Sequence, residues 1–273
     1  MKTSSGLAVL AVGAAVIATP VQAADDGIRI GVLTDLSGIY AAPTGPGSVF
    51  AARQAAADFV AAHAAHKGSK IEVVAGDHQN KPDVGASIAN RWTDNEKVDV
   101  IVDVPTSSVA FVVNDIVKNK NKVFLASGAA ASDLTGARCT PNTVHWTYDT
   151  WALANGTGKA VATTGGDSWF FITADYAFGH ALERDTVAVV EANKGKVVGR
   201  VRHPLATNDF SSFLLQAQAS MAKIVALANA GGDTINAIKQ AAEFGMGRGR
   251  QKLAGSWSTS ATSMRSVSRP RRD

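Results

Sequence analysis

Short apolar runs recur along this chain, each followed by an alanine-rich stretch with helical spacing, and that alternation leaves few folds open. The first series reads as strands at 28–33 (IRIGVL), 71–75 (IEVVA), 98–104 (VDVIVDV) and 122–126 (KVFLA), with helices predicted at 48–66, 81–94 and 107–119. Runs this apolar belong to strands buried on both faces, so strand-then-helix repetition points to a parallel sheet sandwiched by helices. After a non-periodic connection at about 139–154 a second series follows. It places strands at 167–173 (DSWFFIT), 196–203 (KVVGRVRH) and 223–228 (KIVALA), and helices at 176–193, 210–220 and 235–244. The expected fold is α/β, with two doubly wound parallel-sheet lobes at 24–142 and 143–247. The second is expected to be incomplete, because no strand is written after its last helix.

Both ends differ from this body. Lys2 precedes an uncharged apolar stretch over 7–18, Pro20 breaks it, and Val21-Gln22-Ala23 has small residues where a signal peptidase reads. Residues 1–23 are therefore expected to be a cleaved signal peptide, with the mature chain starting at Ala24 in the periplasm; the stretch is too short for a spanning helix. Cys139 stands alone, so no internal disulfide forms. Residues 248–273 carry Ser, Thr and Arg in place of any apolar period and are expected to be a disordered tail. The tail holds seven cations against Asp273. It supplies a net +6, so with a formal charge of +4 for the chain the remainder sums to −2. Basic residues appended in this way, without interleaved folded structure and aromatics, argue against a nucleic-acid partner.

Signals for catalysis are missing. The chain has no G-x-S-x-G elbow, and its one cysteine has no neighbouring motif. His63 and His66 share a predicted helix face but have no third ligand, so no metal is expected. Gly45-Pro46-Gly47 precedes a helix yet matches neither the dinucleotide fingerprint nor the P-loop, so no cofactor is expected. Asp77-His78 follows a strand, where a turn-forming Asp is the default reading over an acid–base pair. What recurs instead is a cluster of hydroxyl, amide and small residues at a strand end before a helix: Thr106-Ser107-Ser108, Ser127 with the alanines after it, and Asn229 to Asp233. Free N–H groups at helix starts together with hydroxyls favour an anion such as a carboxylate. The clusters point to a cleft between lobes.

Five segments in order, IRIGVLTDLSGIYA, VPTSSVA, LASGAAASDLTG, ITADYAFGHALERD and FSSFLLQAQAS with LANAGGDTINAIKQAAEFG, resemble the periplasmic solute-binding proteins of ABC transporters, of the branched-chain amino acid type. The resemblance covers 27–247. It implies a two-lobed, non-enzymatic clamp of the type I periplasmic binding fold, working as a monomer that captures an amino acid or other small carboxylate and presents it to a membrane permease. By motif, the resemblance implies that the carboxylate is held by Ser107 or Ser108 and by the groups at Ala129, Ala130 and Ala131. Ser37 and Tyr40 border the cleft on the first loop, Tyr176 and Phe178 form an aromatic wall from the second lobe, and Asn229 and Asp233 follow the last strand. Asp233 is the candidate for an ammonium group. Relatives continue well beyond 247, so the chain is expected to be C-terminally truncated; a non-functional relic and a secreted α/β hydrolase are the rival readings. Relatives also place a Gly-Ala turn where Met221 stands here.

Overall fold

A computed structural model describes residues 27–66, 68–247 and 249–255. The expected signal peptide at 1–23 and the tail beyond 255 lie outside the described residues.

Five parallel strands form the first sheet: β1 Ile28–Thr34, β2 Ile71–Asp77, β3 Val100–Asp103, β4 Val123–Ala126 and β5 Thr143–His145. Their order is β2-β1-β3-β4-β5. Helices α1 Gly45–Ala62, α2 Pro82–Asp94 and α3 Ser107–Lys120 join them. Local chemistry sets the helix limits. Pro82 sits in the first turn of α2, where its missing N–H costs nothing, and α3 ends at Asn121 with φ 50°, the left-handed cap that asparagine tolerates. Ile88 and Trp92 of α2 and Val109, Val113 and Val117 of α3 bury themselves against Leu33, Ile101 and Phe124 of the sheet. Each such side chain contributes about 1.5–3 kcal/mol by leaving water.

The opposite face of this sheet is covered unevenly. α1 packs over β1 and β2, whereas Val123, Leu125, Val144 and Trp146 remain exposed beside a groove of about 770 Å³ that reaches α1. Trp146 is 81% exposed.

The second sheet runs β7-β6-β8-β9, again parallel, from β6 Ser168–Ala174, β7 Lys196–His203, β8 Ile224–Ala228 and β9 Lys252–Gly255. On one face lie α4 Thr150–Leu153, a π-turn Ala154–Gly158, α5 Lys159–Thr163 and α6 Ala177–Ala192. On the other lie α7 Ser211–Ala219 and α8 Gly231–Glu243. In both sheets the first strand is flanked by the second and the third, so the chain leaves in opposite directions on its two sides. That switch point opens a crevice at the carboxyl ends of the strands.

Three expectations change. A strand does follow the last helix: β9 pairs with β8 from Ile224 to Leu227, and the Lys252 N–H donates to the Lys223 carbonyl at 2.8 Å. Only Leu253 and Ala254 of its four residues are half-buried apolar groups, too few to show a period, so the unpaired backbone edge of β8 recruits them. The first lobe also reaches past 142, because β5 extends its sheet by three residues. Finally, the helical run from Thr150 to Thr163 was hidden by its own Asn-Gly-Thr-Gly, which reads as a loop but forms the π-turn.

Candidate functional site

The loops after β1, β3 and β4 meet those after β6 and β8 in one crevice, lined by Tyr40, Pro105, Gly128 and Ala130 on one side and Tyr176, Phe178 and Ala230 on the other, with Tyr148 at the crossing between the sheets. Helices α3, α6 and α8 all start here. None of their N-cap residues closes its own helix with a side-chain hydrogen bond, so their first N–H groups look for acceptors elsewhere.

Asp35 organises the loop that carries Tyr40. Fully buried, its carboxylate accepts the N–H groups of Gly38 at 2.7 Å and Tyr40 at 2.9 Å, and the Asn80 amide at 2.6 Å. Asn80 in turn accepts the Thr106 hydroxyl, tying the loops after β1, β2 and β3 together. The sequence reading missed Asp35; the signal was its T-D-L-S-G context, an Asp that folds its own following backbone. Neighbouring His78 is buried, and burial pushes its pKa down to about 4.

The candidate residues divide into those that reach the crevice and those spent elsewhere. Ser107, at the start of α3, has no exposed surface, and its Oγ accepts the N–H of Ala131 at 3.2 Å and of Ala130 at 3.4 Å. The serine and the amides that the family resemblance paired are thus adjacent. Ala129 is buried beside them and its carbonyl accepts His145 Nε2 at 2.8 Å. Ser108 does something different: its Oγ accepts the Ala177 N–H at 3.1 Å and so caps α6 from the other lobe.

Tyr40 and Tyr176 come from different lobes and their hydroxyls touch at 2.5 Å. Burial pushes both phenols well above their ordinary value, Tyr176 further raised by Tyr40 and by the charge of Asp233. Tyr40 packs within the core cluster of the second lobe, next to Phe178, and the Tyr176 and Phe178 rings lie 6.0 Å apart. Gly231 makes room for this approach. It holds φ +58°, and a Cβ there would sit 3.1 Å from the Tyr40 ring.

Asp233 is 1% exposed; one oxygen accepts the Ala206 N–H at 3.1 Å, while Oδ1 has no partner. Burial raises its pKa from 3.8 to about 6. Of the candidates, Tyr40, Ala130, Tyr176 and Phe178 line the crevice, and two spend their polar groups elsewhere. Ser37 is exposed and donates to Asp77 at 2.7 Å, at the sheet edge, because the Asp35 turn aims Tyr40 inward and Ser37 out. Asn229 is buried between His203 at 3.1 Å and the Thr234 hydroxyl at 2.8 Å, which engage its amide nitrogen and its oxygen. Tyr148, which the sequence reading did not single out, lines the crevice; it follows a strand too short to announce itself. His63 and His66 pack on Phe59, and no group of three metal-binding side chains occurs among the described residues.

Residues 27–270 match a family model described as periplasmic binding protein. A solved periplasmic binding protein from Burkholderia mallei is 51% identical with TM-score 0.84, covering 88% of this chain and 63% of its own. A branched chain amino acid ABC transporter periplasmic ligand-binding protein from Burkholderia xenovorans LB400 is 36% identical with TM-score 0.69 over the same shares. Among curated sequences, a Leu/Ile/Val-binding protein homolog 6 from Brucella melitensis biotype 1 is 26% identical, covering 81% of this chain and 56% of that protein. The chain thus spans less than two thirds of the length of these relatives. With its two parallel sheets and shared crevice, the chain belongs to the periplasmic binding protein family.

Proposed function

We propose that this chain captures an amino acid between its two lobes in the periplasm for uptake by an ABC transporter, its mature form starting at Ala24 after signal-peptide removal. The carboxylate replaces Ser107 Oγ as acceptor for the Ala130 and Ala131 N–H groups. Those bonds, at 3.4 and 3.2 Å, are long, and an ionised oxygen is the stronger acceptor. The ammonium group takes Asp233. The side chain lies against Tyr40, Tyr148, Tyr176 and Phe178, the apolar lining with few polar groups usual for small-molecule sites.

The observation that carries this reading is the unpartnered, buried Oδ1 of Asp233. A buried carboxylate held only by backbone N–H groups costs stability unless a cation arrives to pair its charge. A solute with neither a cationic group nor a hydrogen-bond donor gives it nothing. The space between the aromatic rings is about 30 Å³, enough for one water, so entry of an amino acid requires the lobes to part and the Tyr40–Tyr176 contact to break. Hinge closure of this kind joins binding to a shape that a permease can read.

Isothermal titration of the folded mature chain with L-leucine, L-valine, L-alanine and benzoate tests the proposal. Heat with an amino acid that disappears in Asp233→Ala supports it. Binding of benzoate alone moves the chain to the aromatic-acid class, and silence from all four ends the proposal.

A further inference from the structure

We infer that Asp185, with Arg184 beside it, is a positioning residue: from α6 in the second lobe it sets the loop at 130–133 in the first, and so the amides that receive the ligand carboxylate, without touching the ligand. The assignment of those amides rests on the proposed function above.

The Asp185 side chain is 11% exposed, and its Oδ2 accepts two hydroxyls, Ser132 Oγ at 2.7 Å and Thr150 Oγ1 at 2.6 Å. Ser132 Oγ also accepts Arg184 Nη2 at 2.8 Å, and the same guanidinium reaches Asp133 at 3.0 Å. Thr150 closes the ring: its Oγ1 accepts the Ser132 N–H at 3.0 Å, and its own N–H donates to the Ala130 carbonyl at 2.8 Å. The loop is therefore held from its carbonyl, its amide and its side chains while the N–H groups of Ala130 and Ala131 face Ser107. With one proton on each hydroxyl, both committed to Asp185, the donor directions are fixed.

Position along α6 turns this into a device for closure. The same helix begins beside Tyr176 and is capped at Ala177 by Ser108 of the first lobe; Asp185 lies eight residues on, about 12 Å along the axis. Contacts at both places tie the two lobes together. Because the network bridges the lobes, its loss acts on release of ligand more than on encounter.

Hydrogen exchange on the full chain without ligand tests the assignment directly. In Asp185→Ala and Thr150→Val the amides at 130–133 exchange at least tenfold faster than in the wild type while α3 and β3 keep their rates; Thr150→Ser, which retains the hydroxyl, restores them. Unchanged exchange at 130–133, or an equal rise across both sheets, overturns the assignment. With L-leucine as probe, Asp185→Ala raises koff about 10- to 100-fold, the range for losing hydrogen bonds to a charged group, and changes kon less than threefold; a fall confined to kon overturns it. Failure of L-leucine and the other solutes to bind the wild type strikes the proposed function, and the exchange rates then decide the role of Asp185 alone.

Discussion

Asp233 offers a stability measurement whose sign is set by its burial. Its carboxyl moves from 3.8 to about 6 because burial disfavours the charge. At about 1.4 kcal/mol per tenfold change in proton affinity, the ionised group disfavours the folded state by about 3 kcal/mol. The folded chain holds this proton more tightly than the unfolded one. The penalty is absent below pH 3.8, grows between there and about 6, and is complete above. His78 works the other way. Burial takes it from 6.5 to about 4, so its stabilising contribution is complete above pH 6.5 and is lost as pH falls through 4. In the wild type the two trends oppose each other, and a single pH curve would hide both. Comparing the wild type with Asp233→Asn separates them, since Asn keeps an oxygen to accept the Ala206 N–H and His78 is common to both proteins. Urea unfolding at pH 4, 5, 6, 7 and 8 is expected to show the wild type gaining about 2.4 kcal/mol relative to the variant on going from pH 7 to 4. A difference that stays constant with pH, or moves the opposite way, refutes the reasoning. With L-leucine bound and its ammonium on Asp233, the carboxylate must be ionised, so affinity is expected to fall about tenfold per pH unit below about 6.

Other perturbations probe the interlobe contact and the backbone. Tyr40→Phe leaves the Tyr176 hydroxyl buried without its partner and is expected to cost about 1–3 kcal/mol; the double change with Tyr176→Phe costs less than the sum of the singles, and strict additivity in urea unfolding speaks against a shared bond. Met221, at φ 55° and 73% exposed, occupies a left-handed position that an L side chain adopts at a cost of about 1–2 kcal/mol. Met221→Gly is therefore expected to stabilise the chain by about 0.5–1 kcal/mol after the entropy of the unfolded glycine is counted, seen as a higher thermal midpoint. Gly179→Ala puts a Cβ 2.1 Å from the Ala174 carbonyl, forcing α6 off its sheet; a loss of about 2–3 kcal/mol in urea unfolding is expected.

Much of the architecture was legible from periodicity. KVVGRVRH alternates, and Lys196–His203 is the strand observed, half-exposed on alternate residues. Long amphipathic stretches such as the one containing Ala177–Ala192 showed themselves for the same reason. β5 and β9 did not, because three or four residues complete neither period and their pairing is decided by the free edges of β4 and β8. The site was legible in part. Strand-end clusters and family motifs pointed to Ser107, Ala130, Tyr40, Tyr176 and Asp233, of which Tyr40, Ala130 and Tyr176 line the crevice, whereas Ser37 and Asn229 have the same residue types but spend their polar groups on Asp77, His203 and Thr234. Met221 was singled out as standing where relatives place Gly-Ala, and its positive φ is the physical reason a glycine suits that position.

The sequence alone determined the class of fold and the loops that lead from strand ends into helix starts, since buried parallel strands and helix starts are local consequences of apolar period and capping chemistry. Only the tertiary structure decided which hydroxyls remain free to serve a ligand. Hydrogen-bond partners such as Asp35 with Asn80, Ser132 with Asp185, and Tyr40 with Tyr176 are separated by 45, 53 and 136 residues; no local pattern records pairings at such distance. Pairing of β1 with β2 brings the first pair together, and only the packing of the two lobes against each other brings the other two within reach.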